Sequence, residues 1–231
     1  MRSDGRKADE IRRIGSSLGT YTDCDGSAYL EMGNTKVLSV VYFAYLFSSL
    51  MYRHGPADSN RFSSELDEKA CVECDVVFAP FSLMDHKRVG QNKRISIEYS
   101  LALRRCFEKV ILTNIYPRSR IQISCTILQS DGGDLPCLLN ASLLALVNAG
   151  VAVSDFQVSL SVGYMDNTIL MDMNRSEAKL NGIVLTVAYL PRFDKFTLVT
   201  MDNNIPIELF EVGLFEFPKF VGFVEISQGR L

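Results

Sequence analysis

Apolar and polar positions alternate through most of the chain, and two stretches break that rhythm with helical spacing. The two-residue period predicts strands over residues 15–22, 26–32, 36–42, 70–78 and 121–128, and again over 158–164, 168–173, 184–190 and 196–201. Asp25-Gly26 and Gly33-Asn34 provide tight-turn chemistry between the first three. Between residues 96 and 112, Ile97, Leu101, Leu103, Phe107, Val110 and Ile111 approximate helical spacing, with Arg104, Arg105, Glu108 and Lys109 as the wet face. Pro117 stops that helix. A second helix has Asp134 as its N-cap, Pro136 in its first turn, an apolar run over 138–147 and Gly150 at its end. Residues 1–13 are charged and turn-rich, 85–94 form a polar, basic loop, and Pro206 opens a last apolar segment.

Strands, helix, strand, helix, strands and a final helix make a mixed α+β architecture, with sheets packed against buried helices. No repeat or linker divides the chain, so residues 1–231 read as a single domain. Residues 37–52 are uncharged. That is shorter than the roughly 20 residues a membrane span needs, so they read as a buried strand running into an apolar loop. In the last segment Gly213, Pro218 and Gly222 weaken any helix.

Composition sharpens this picture. Hydrophobic residues make up 47% and charged residues 22%, enough for a packed core. The net charge of −3 excludes a protein that grips nucleic acid with its whole surface, so any RNA contact must be a local patch or shared with neighbours. Six cysteines are scattered through apolar runs and read as reduced thiols of an intracellular protein. Cys71 and Cys74 form a C-x-x-C. On a strand, positions three apart face opposite sides, and no second pair follows at zinc spacing, so neither metal nor cofactor is expected there. His54 and His86 have no recognisable nucleophile partner, which gives a hydrolase triad no support.

Five segments in order carry a resemblance: Ser3-Asp4-Gly5-Arg6-Lys7; residues 28–36, AYLEMGNTK; residues 114–119, NIYPRS; residues 127–133, ILQSDGG; and residues 140–150, NASLLALVNAG. Together they resemble the RNase PH family, and within it the exosome ring subunit whose archaeal counterpart carries the exonuclease site. The resemblance implies the RNase PH fold (ribosomal protein S5 domain 2-like) and a six-membered ring threaded by single-stranded RNA. It implies further partners: other RNase PH-like ring subunits, S1/KH cap subunits and a catalytic exosome nuclease, in the nucleus, nucleolus and cytoplasm, with no membrane. Relative to the family, residues 43–53 look inserted and the final segment is unusually rich in Phe and Gly.

Phosphorolysis needs inorganic phosphate held by a hydroxyl, an arginine and free backbone N–H groups at a helix start, and an acid that protonates or holds a metal near the scissile phosphate. Where active relatives follow the Gly-Gly turn with a small hydroxyl residue and Arg, this chain has Asp134 and Leu135. A carboxylate about 5 Å from phosphate costs roughly 3 kcal/mol at an effective dielectric of 20. The family's two later aspartates match Ala178 and Val184, which neither carry a proton nor ligate a metal. No catalytic residue and no metal ligand is therefore expected; the alternative is an active phosphate-dependent 3′–5′ exoribonuclease. Asp172 and Glu177 are weak as paired carboxylates, since a strand-end turn explains both. The resemblance places Lys93 and Arg94 where the family's Arg pair faces the central channel and meets RNA phosphates. Lys keeps the charge there but loses the bidentate fork. Lys87 and Arg88 extend that basic loop, and Arg61 is assigned to the channel entrance.

Overall fold

The computed structural model describes residues 2, 4–45, 69–83, 93–117, 119–165, 168–180 and 183–201. Lys87, Arg88, Arg61, both histidines, residues 46–53 of the apparent insertion and the segment after Pro206 lie outside them. The strands are β1 (Ile14–Leu18), β2 (Gly26–Met32), β3 (Thr35–Tyr45), β4 (Cys71–Phe78), β5 (Ser119–Gln129), β6 (Val158–Met165), β7 (Thr168–Met171), β8 (Ile183–Leu190) and β9 (Lys195–Met201). The helices are α1 (Lys93–Val110), α2 (Asp134–Asn148) and α3 (Arg175–Lys179).

The strands form two sheets, ordered β1-β2-β3-β5-β4 and β7-β6-β8-β9. All pairings are antiparallel except β4 with β5. The period-two pattern is what fixes the register: Ala28, Leu30 and Met32, Val37 and Val41, and Ile121, Ile123 and Ile127 all turn to one face and are buried. On that face lies α2, which touches β2 and β3 of the first sheet and β6 and β8 of the second. A helix covered on both sides is apolar all round, as its sequence DLPCLLNASLLALVN is. Its one fully buried hydroxyl, Ser142, donates to the Leu138 carbonyl at 2.7 Å and lies 3.1 Å from Cys125 Sγ, so the core polar atoms satisfy one another. All six cysteines are free; Cys74 faces inward and Cys71 is half-buried on the other side of β4. Among the described residues no helix is long and apolar enough to cross a membrane.

Several boundaries differ from the pattern-based reading. Strand β3 runs on to Tyr45, because the eleven-residue β5 offers it a partner as far as Tyr45↔Ser119; residues 43–45 thus belong to the sheet and not to an inserted loop. Strand β1 ends before Gly19, which turns the chain at φ +66°. The N-cap of α2 is Gly133 at φ +65°, and Asp134 is the first helical residue. Strand β7 stops at Met171, and a five-residue helix, α3, follows where no helix was expected. Helix α1 starts at Lys93, so the Lys93–Arg94 pair is its first turn and not the end of a loop. Its buried face is Leu103, Cys106, Phe107 and Val110, whereas Ile97 and Leu101 face outward at 51% and 48% exposure. The apolar positions of this helix fall on two faces, which a count of apolar spacing merges into one.

Candidate nucleic-acid interface and the glycine cleft

Around the Gly132-Gly133 turn, where the sequence reading sets the phosphate loop of active relatives as an expectation, this chain builds an ionic lattice. The Ser130–Gly133 turn joins β5 to α2 and packs against the β7–α3 connection. Both glycines are required there. Gly132 sits at φ +87°, and a Cβ on it would lie 2.7 Å from the Arg175 backbone nitrogen; Gly133 sits at φ +65°, and a Cβ on it would lie 2.7 Å from Arg12 Nη2. That close approach lets Arg12 reach the Gly132 carbonyl at 3.0 Å.

Asp172 organises the opposite wall. It is wholly buried and left-handed, with φ 52°. Two bonds from Arg12 (Nε to Oδ2 at 2.7 Å, Nη2 to Oδ1 at 2.6 Å) and a 2.8 Å bond from its own N–H to the Ser161 carbonyl hold it in that sparse conformation. Burial works against the charge on Arg12, but the Asp172 carboxylate outweighs it and raises the Arg12 pKa. The N-terminal segment completes the lattice. Arg2 grips Glu177 with two bonds of 3.0 and 2.9 Å and donates to the Met171 and Asp172 carbonyls, both at 2.8 Å. Arg6 donates to Asn174 at 3.0 Å, and Asn174 also donates to Asp4. Asn174 and Glu177 form a capping box that starts α3. Partial burial opposes ionisation of Glu177, yet the Arg2 guanidinium and the Asn174 N–H together hold it below the usual carboxylate range.

Asp134 has the opposite environment. Its Oδ2 accepts a 2.6 Å bond from the Ser130 hydroxyl, while its buried Oδ1 has no hydrogen-bond partner. Burial raises its pKa, and the Ser130 bond only partly offsets that. Leu135 is buried, and Ala178 and Val184 are half-buried positions without a polar atom in their side chains. Among the described residues no group of three His, Cys, Asp or Glu side chains could hold a metal ion.

Lys93 and Arg94 form a separate feature. Both are exposed, neither makes a hydrogen bond or ion pair with another described residue, and the first turn of α1 contains no acidic residue. A helix start carries partial positive charge, so two cations there repel it and each other and favour any anion that approaches. Sequence reasoning reached Asp134, Leu135, Ala178, Val184, Lys93 and Arg94, but it missed Arg2 and Arg12. One signal could have drawn attention to them: five cationic side chains (Arg2, Arg6, Lys7, Arg12 and Arg13) precede an uncharged strand. Their partners lie some 160 residues away in sequence, which no local pattern reveals.

A family model for the 3′ exoribonuclease family, domain 1 (RNase PH), matches residues 10–152. The chain belongs to the RNase PH family. It is 39% identical over 212 residues to the exosome complex component RRP41 homolog of Arabidopsis thaliana, covering 91% of this chain and 83% of that one. It is 39% identical to human exosome complex component RRP41 (88% and 79% covered) and 33% identical to Rrp41 of Pyrobaculum calidifontis (88% and 78%). In fold it resembles rice Rrp46, with a TM-score of 0.76, 22% identity and 98% and 96% of the chains covered. It likewise resembles a chain of the Archaeoglobus fulgidus exosome with RNA bound to the active site, at a TM-score of 0.75, 19% identity and 96% and 92% covered. The RNase PH fold expected from the sequence is therefore shown.

Proposed function

We propose that this RNase PH-family chain is a non-catalytic subunit of an RNA exosome ring, a single RNase PH-like unit over residues 1–231. In this role it guides single-stranded RNA through the central channel for 3′–5′ processing and degradation. Its neighbours are other RNase PH-like subunits, S1/KH caps and a catalytic nuclease, in the nucleus, nucleolus and cytoplasm. The observation that carries the RNA contact is the Lys93–Arg94 pair: two exposed cations, without a partner among the described residues, on the positive end of an eighteen-residue helix. The glycine cleft supports the non-catalytic half of the reading. Leu135, Ala178 and Val184 stand where phosphorolysis needs an arginine and two carboxylates, and Asp134 occupies the phosphate-loop position. Lys87, Arg88 and Arg61 belong to the same proposed RNA path.

The test of the RNA contact is binding of a labelled single strand by the assembled complex at several salt concentrations. Replacing Lys93 and Arg94 together with Glu is expected to weaken binding and to lower the slope of log affinity against log salt by about 0.7 for each lost phosphate contact. Unchanged affinity and slope would remove both residues from the RNA path.

A further inference from the structure

The outward face of α1 carries a second apolar stripe. Ile97 and Leu101 are one turn apart, and at about 100° per residue they share a sector with Arg105. Both aliphatic side chains are about half exposed, although the same helix buries Leu103 and Phe107 completely. Beside Ile97 a groove of about 460 Å³ opens between α1 and the outer face of β4 and β5. Val77, itself 58% exposed, forms its other apolar wall, Ser100, Gln122 and Ser124 line the floor, and Lys93 and Asp75 add one charge of each sign. The stripe ends on one cation, Arg105. Helix α1 carries five Lys and Arg residues against two Glu, in a chain whose net charge is −3. Arg104 is paired with Glu108, whereas Arg105 has no partner among the described residues.

We infer that this face docks a helix from another protein subunit, with aliphatic side chains seated on Ile97, Leu101 and the Val77 wall and carboxylates set against Arg105. The inference rests on the proposed place of the chain in a multi-subunit complex and assigns a surface to it. Spacing of i and i+4 on α1 is the ridge that a partner helix packs against. Charge complementarity selects an acidic partner. Single-stranded RNA is the poorer fit, because its bases stack on aromatic rings and the stripe has none. Of the two aromatic residues of α1, Phe107 is buried in the core and Tyr99 packs against Phe78, with ring centroids 6.1 Å apart.

The experiment is co-expression of the full chain with the RNase PH-type and S1/KH-type exosome subunits of the same genome, followed by intact-mass measurement and subunit titration. Ile97→Ser with Leu101→Ser, which adds no charge beside Lys93 and Arg94, is expected to weaken retention of one neighbouring subunit at least tenfold while RNA binding by the remaining complex is unchanged. Arg105→Glu alone, which removes no packing, is expected to weaken the same neighbour and to make the loss steeper at low salt. Full retention of every neighbour by both variants would overturn the inference and leave the proposed function standing. Intact assembly with weakened RNA binding would overturn it by making the stripe an RNA surface. A wild-type chain that joins no other subunit would overturn both.

Discussion

Charged side chains near the glycine cleft stabilise the fold in opposite senses. Asp172 is a fully buried anion whose two oxygens are held by Arg12, and removing one partner of such a pair leaves an uncompensated charge in the interior. Asp172→Ala is accordingly expected to cost about 3–5 kcal/mol in urea unfolding. Acid titration separates Glu177 from Asp134. Glu177 has its folded pKa lowered from 4.5, so its contribution is complete above that value and is lost as pH falls through the folded pKa. Asp134 has its folded pKa raised from 3.8, so the native state keeps the proton longer and stability declines as pH rises through the folded pKa. Unfolding free energies measured from pH 3 to pH 8 are expected to show Glu177→Gln losing the acid-side dependence, while Asp134→Asn becomes more stable than wild type near neutrality. The same slope in both variants as in wild type would contradict these environments.

Helices and strands show how far local pattern reaches. Most strands were legible because a sheet face that buries every second residue writes that period into the sequence: Ile121, Ile123, Cys125 and Ile127 on β5 alternate without exception. What local pattern left out is pairing. β3 extends to Tyr45 because β5 is there to receive it, and Arg2, Arg6 and Arg12 make sense only beside Asp172, Asn174 and Glu177. Helix α1 was found but its faces were not, since residues 97 and 101 are apolar without being core. Loss of stability distinguishes the two faces directly. Phe107→Ala is expected to cost about 3–5 kcal/mol, the range for a fully buried aromatic ring. Leu101→Ala is expected to change the isolated chain's stability by no more than about 0.5 kcal/mol, as for an ordinary surface position. The candidate site was legible in the same partial way. That Leu135, Ala178 and Val184 are apolar is visible in sequence, and the ionic lattice of Arg2, Arg12, Asp172 and Glu177 is not.

At the scale of the whole molecule, two sheets and a shared helical core keep the RNase PH fold, while the cleft between the Gly-Gly turn and α3 is closed by arginine–carboxylate pairs. The fold is retained, and the proposed lack of activity rests on Leu135, Ala178 and Val184, whose side chains carry no hydroxyl, guanidinium or carboxylate. The cations at the head of α1, Lys93 and Arg94, are exposed, as the proposed contact with a phosphate backbone requires. Inactivity with retained RNA contact is the central claim. The most direct measurement is release of nucleoside diphosphates from an end-labelled RNA, in phosphate and magnesium, by a complex in which every other subunit is inactivated. The expected result is RNA that binds but releases no nucleoside diphosphate above the phosphate-free control. Phosphate-dependent release that tracks the amount of this chain would contradict the claim and make it an active exoribonuclease.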